Sequence, residues 1–229
     1  MEPLMLRLET QDYDRLLAKT TKLHMKKGKV IYREGLLSEY LYFIQEGEVR
    51  IFKNLDQNRE LTLYTREKND CFGEDIFTGD RYFATAEAMQ DSLLLFIEKA
   101  AIESILEANG RMSLHFAKWI AEMLEASKSE TRDFLAFGSE GAVASMFVRY
   151  ANTYGIVTRH GIRITRPIVI SDLSKYIGIS RETVSRIVNR WKSEGVIVND
   201  NKFSFLVKNM SYFTSLLEYD PCALDDYVL

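Results

Sequence analysis

Arg181, Glu182, Ser185, Arg186 and Asn189 recur at helical spacing, and Arg190 flanks them. Together they could hydrogen-bond the edges of nucleic-acid bases. An arginine fork pairs with guanine O6 and N7, and a carboxylate accepts from cytosine N4. Glu182 and Arg186 stand one turn apart, a spacing at which an ion pair could hold the arginine in register. Charge supports this reading. From Arg159 to Lys192 there are eight basic residues (Arg159, Arg163, Arg166, Lys175, Arg181, Arg186, Arg190, Lys192) and two acids, Asp172 and Glu182, in a chain of net charge −3. Positive charge is concentrated in one segment, as a DNA footprint requires. The acidity of the rest argues against indiscriminate coating of nucleic acid.

The elements that would position these groups can be read on either side of them. Leu173 and Ile177 lie one turn apart, and so do Val184, Ile187 and Trp191, with Val188 beside them. Two short helices with one apolar face each are implied. Gly178 suits the positive φ of the turn between them. Ser180 can cap the second helix and Ser171 the first, with Asp172 at the positive end of the dipole. This is a helix-turn-helix pattern, whose second helix carries base contacts near its N-terminus. Gly195 ends that helix. Val196–Val198, the turn Asn199–Lys202 and Phe203–Val207 then predict a β-hairpin wing, with Lys202 at its tip within reach of phosphate. Gly161–Thr165 reads as a strand before the motif, and Ser211–Tyr219 as a final helix.

Upstream the period changes. After a polar, helical lead-in over residues 1–21, short β-rich runs follow one another: Lys29–Arg33, Tyr40–Ile44, Val49–Phe52, Leu61–Tyr64 and strands within Ala84–Ile97. Regular spacing of this kind predicts an antiparallel barrel or jelly roll over roughly residues 22–98. Lys99–Ala108 is a short helix stopped at Asn109-Gly110. Arg111–Phe137 is a long one, free of Gly and Pro. Phe116, Ile120, Met123, Ser127, Glu130, Phe134 and Phe137 alternate at spacings of four and three, flanked by Trp119 and Leu124. A 3.5-residue seam suits pairing with a second copy. The dimer interface is expected at Phe116, Trp119, Ile120, Met123, Ser127 and Phe134. Gly138–Gly141 reads as a hinge and Ala142–Tyr154 as another helix, ended by Gly155. The fold class is therefore α+β. A β-barrel domain spans residues 1–110, a dimerisation helix 111–137 and a winged helix-turn-helix 138–229.

Several classes are disfavoured. No 18-residue apolar run offers a membrane span, and the N-terminus lacks the apolar core of a signal peptide. Two distant cysteines, Cys71 and Cys222, fit a reducing cytosol. Cys71 could be a redox sensor or a small buried apolar residue. His24, His115 and His160 are scattered, so neither haem nor a metal enzyme on a cupin-like barrel is favoured, and no cofactor is expected.

The order of barrel, long helix and winged helix-turn-helix resembles the cyclic AMP receptor protein / fumarate-nitrate reduction regulator (Crp/Fnr) superfamily of bacterial transcription regulators. The stretches that carry the likeness are Leu41-Tyr-Phe-Ile-Gln-Glu-Gly-Glu-Val-Arg-Ile51, Phe72-Gly-Glu74 and Ile179-Ser-Arg-Glu-Thr-Val-Ser-Arg-Ile187. The resemblance implies that Arg181, Glu182 and Arg186 read a TGTGA-like half-site of an inverted repeat. Ser185 is the residue of the oxygen-sensing branch, and Ser180 and Thr183 would bind phosphates. Ser171, Arg190 and Lys202 complete the expected DNA-binding set. It also implies a homodimer, contact with RNA polymerase (through the loop Ile156–Gly161, for example) and an effector pocket at Gly73, Glu74, Arg81, Tyr82 and Phe83. Gly73 and Glu74 match the cyclic AMP branch. Tyr82-Phe83-Ala84 stands where that branch keeps Arg-Ser/Thr-Ala, so cyclic nucleotide binding is not expected unless the pocket is rearranged around Arg81. Two cysteines are too few for the four thiolates of an iron–sulfur cluster. The effector stays open.

Overall fold

The structure, a computed structural model, describes residues 2–55, 59–200 and 204–218. The chain forms two compact units, one from Glu2 to Ala121 and one from Glu122 onward.

The first unit is a jelly roll of two four-stranded antiparallel sheets. One sheet has the order β1-β8-β3-β6, built from β1 (Thr21–Met25), β8 (Ser92–Glu98), β3 (Tyr40–Glu46) and β6 (Cys71–Phe72). The other has the order β2-β7-β4-β5, built from β2 (Val30–Tyr32), β7 (Thr85–Ala88), β4 (Glu48–Leu55) and β5 (Arg59–Glu67). They are two sheets over one core, not a single closed barrel. Tyr32, Ile51 and Ala86 from one pack with Tyr42, Ile44, Phe72 and Leu94 from the other. Gly47 joins β3 to β4 at φ 104°, where a Cβ would strike Ser92. The lead-in is less polar in effect than in composition. A 3-10 turn at Leu4–Arg7 and α1 (Thr10–Leu17) bury Leu4, Met5 and Leu16. α2 (Lys99–Ala108) follows β8 and buries Ile102.

α3 (Gly110–Tyr154) is helical throughout except at Gly138, with φ 61° and ψ −156°. The break is a reversal. Ser145 Oγ donates to Asp133 Oδ2 at 2.5 Å although the two are twelve residues apart, a separation of about 18 Å along a straight helix. Arg149, fully buried, lies 3.7 Å from Glu130 on the other limb. Of the expected Gly138–Gly141 hinge only Gly138 leaves helical geometry. Gly141 is helical and needs its missing side chain, because a Cβ there would meet the Phe137 side chain.

The second unit continues through a sheet of order β11-β12-β10-β9. Its strands are β9 (Gly155–Thr158), β10 (Gly161–Ile164), β11 (Ile197–Asn199) and β12 (Phe205–Val207). The last two form the wing. α4 (Ile170–Ile177) and α5 (Arg181–Ser193) are the helix-turn-helix, and α6 (Met210–Leu216) closes the unit. Their apolar faces share one core around Trp191, Phe147, Phe205 and Phe213, whose rings meet edge-on or tilted at 4.8–5.8 Å.

Candidate nucleic-acid interface and sensor interior

The turn between α4 and α5 is built as its residues dictate. Gly178 takes the left-handed conformation at φ 77°, and Ser180 caps α5 by accepting from Thr183 N at 3.1 Å. The Ser180 and Thr183 hydroxyls lie 2.9 Å apart. α4 starts two residues earlier than expected. Val169 is its cap position, and Ser171 sits in the first turn with its hydroxyl 3.5 Å from Asp172.

Val184, Ile187, Val188 and Trp191 bury one face of α5. Arg181, Glu182, Arg186 and Asn189 remain exposed on the other, with Ser185 half-buried and 3.4 Å from Asn189 Nδ2. Among the described residues no ion pair joins Glu182 to Arg186. Arg190 is placed differently. Its guanidinium is paired with Glu140 on α3, which holds its proton more tightly than usual. Glu140 Oε1 also accepts from Trp191 Nε1 at 3.2 Å and from the Tyr212 hydroxyl at 3.4 Å. Lys202, expected at the wing tip, and Cys222 lie outside the described residues.

In the first unit the five pocket candidates split. Glu74 and Tyr82 turn inward. Tyr82 is 3% exposed and stacks on Tyr32 with centroids 3.7 Å apart. Its hydroxyl donates to Tyr40 O at 2.8 Å and accepts from Tyr40 N at 3.2 Å. Tyr42 stacks on Phe72 beside this pair at 5.0 Å. Tyr64 donates to Glu74 Oε1 at 2.6 Å, and burial first, then the Glu74 charge, pushes the Tyr64 phenol well above its ordinary range. Gly73 adopts φ 91°, where a Cβ would crowd Tyr40 O at 3.0 Å. Arg81 and Phe83 turn outward. Arg81 is exposed and donates to Gly35 O at 2.6 Å. Phe83 is 60% exposed under the Lys53 ammonium, 3.7 Å from the ring centroid. A pocket gathered around Arg81 is not what the fold builds, because neighbouring residues of an extended segment face opposite ways.

The long helix corrects part of the expected seam. Phe116 and Trp119 are 4% and 0% exposed within their own unit. Trp119 Nε1 donates to Asp70 Oδ1 at 2.9 Å, and Arg66 stands 3.3 Å from the same carboxylate. Burial pushes the Asp70 carboxyl up, against the pull of Arg66. The apolar residues left open along α3 are Leu114, Ile120, Leu124, Phe134 and Leu135, with Ser127 exposed and Met123 half-buried. Of the expected set, Phe116 and Trp119 belong to the protomer's own core, whereas Ile120, Ser127 and Phe134 stay exposed.

Family relationships agree with this division. The family model for the cyclic nucleotide-binding domain matches residues 22–109, and that for the Crp-like helix-turn-helix domain matches residues 141–214. The chain is 33% identical over 215 residues to the anaerobic regulatory protein of Bacillus subtilis, covering 93% of this chain and 90% of that one. It belongs to the Crp/Fnr superfamily. It is thus a transcription regulator with a DNA-binding helix-turn-helix. The cyclic AMP receptor protein of Thermus thermophilus is 28% identical, with 85% and 88% of the two chains covered. A mutant CooA from Carboxydothermus hydrogenoformans shares the fold at TM-score 0.81 and 20% identity, over 94% and 96% of the chains. No helix among the described residues is long and apolar enough to cross a membrane.

Proposed function

We propose that this regulator binds an inverted-repeat operator as a cytoplasmic homodimer and has no enzymatic activity of its own. Arg181, Glu182 and Arg186 read base edges, while Ser180, Thr183, Ser171 and the Lys202 wing position contact phosphates. Residues 1–110 are the sensor-like domain, residues 111–137 the dimer helix and residues 138–229 the DNA-binding head. The observation that carries the reading is the capped α5, whose buried face fixes the helix while Arg181, Glu182 and Arg186 stay exposed. Effector control would act at Gly138, the one non-helical residue of α3. RNA polymerase contact is assigned to the β9–β10 hairpin, where Ile156 and Val157 are 55% and 83% exposed.

The effector is neither a cyclic nucleotide nor an iron–sulfur cluster. Tyr82 takes up room in the interior, and its hydroxyl is already engaged by the backbone of β3. A cluster held by thiolates would need more than the two cysteines of the sequence. Cyclic AMP or cyclic GMP should therefore give no binding heat and no gain in operator affinity.

The test is competition between operator and single-base variants at two salt concentrations. Arg186→Ala should cost about 1–3 kcal/mol on the operator and relax preference at one base pair. Equal losses on operator and random DNA would reduce Arg186 to a phosphate contact. Dimerisation is tested at Leu124, 54% exposed. Leu124→Glu would bury a charge at the seam, which is strongly unfavourable, so sedimentation should shift toward monomer. Wild-type protein sedimenting as a monomer at tens of micromolar would sink the dimer.

A further inference from the structure

We propose that Glu140 is a specificity-determining residue. It neutralises Arg190 and so keeps that cation from binding DNA phosphates without regard to sequence. The proposal rests on α5 being the recognition helix.

At 100° per residue, Arg190 lies about 40° around the helix from Arg186, at the edge of the face assigned to DNA. Its side chain is 46% exposed, so burial does not withdraw it. Its charge is withdrawn instead. Glu140, with 29% of its own side chain exposed, pairs with the guanidinium, and Glu194 offers a second, looser contact at 4.0 Å. Arg181 and Arg186 have no such ion pair among the described residues. Three arginines therefore share one helix, and only one is held by an acid from another element. Trp191 and Tyr212 donate to the same Glu140 oxygen and aim the carboxylate at α5.

The physical consequence concerns phosphate alone. An additional free cation beside duplex DNA releases about 0.9 counterion per phosphate neutralised. That gain is the same on every sequence. It raises random binding, against which an operator must compete.

Glu140→Gln separates charge from packing, because the amide oxygen still accepts from Trp191 and Tyr212 while the negative charge is gone. In full-length protein, its affinity for random duplex DNA should rise about eightfold at 0.1 M salt, with a salt slope steeper by about 0.9. In an Arg190→Ala background the same change should do nothing. Arg190→Ala alone should leave random binding and its salt slope as they are. The proposal is overturned if Glu140→Gln leaves random binding unchanged, or raises it equally without Arg190. It is overturned as well if Arg190→Ala alone flattens the salt slope by about one, a result that does not depend on Glu140→Gln folding. A wild-type protein with no operator preference would sink the proposed function, while these random-DNA measurements stay readable.

Discussion

Each unit buries one tryptophan completely, and each indole N–H donates to a carboxylate: Trp119 to Asp70, Trp191 to Glu140. Each carboxylate also faces an arginine, Arg66 or Arg190. The motif is the same and its surroundings are opposite. The Arg66 and Asp70 side chains are 9% and 10% exposed, whereas those of Arg190 and Glu140 are 46% and 29% exposed. A buried pair binds its unit together and offers nothing to a partner. A half-exposed pair contributes little to stability but sets how much charge the surface presents. One arrangement thus serves packing in the sensor-like unit and charge control in the DNA-binding head.

Three substitutions sharpen this contrast through stability measured by chemical denaturation. Asp70→Ala strands Arg66 in the interior and leaves the Trp119 N–H without its acceptor. It should cost about 3–5 kcal/mol; a loss below about 1 kcal/mol would mean that the two pairs are alike after all. Ser180→Ala removes the α5 cap and should cost about 1 kcal/mol. The loss should appear in unfolding of the head and leave the jelly roll untouched. Glu140→Gln should change stability least, by less than about 1 kcal/mol, despite its effect on DNA. A loss as large as that of Asp70→Ala would erase the distinction between the two carboxylates.

The recognition segment was legible because three local signals coincide there. An apolar period of 3.6, a serine at the cap and a glycine at the turn all depend on near neighbours. What sequence could not provide was the partner of each face. Phe116 and Trp119 fall on a 3.5-residue stripe, and spacing does not distinguish the protomer's own core from a second copy. β9 carries no period-2 signal, because Ile156 and Val157 are adjacent apolar residues that are both exposed in the fold. Serine is favoured at a helix cap, which points to Ser171, yet α4 begins at Ile170. Glu140 read as linker. The one available hint was an acid shortly before a basic segment, and its three donors meet only in the folded head.

β6 lies at the edge of its sheet and carries Cys71, paired with Phe43 and fully buried. Burial pushes the thiol well above its ordinary range, with the charges of Asp70 and Glu74 adding to the effect. A maleimide or disulfide reagent attacks the thiolate, so in the closed fold it finds neither access nor a reactive form. Reaction must wait until β6 leaves the edge of β3. With Cys222 replaced by serine, the labelling rate of Cys71 becomes a clock for local opening of the sensor-like unit. It can be run with the regulator free, on its operator, or beside any candidate signal, before that signal has been identified.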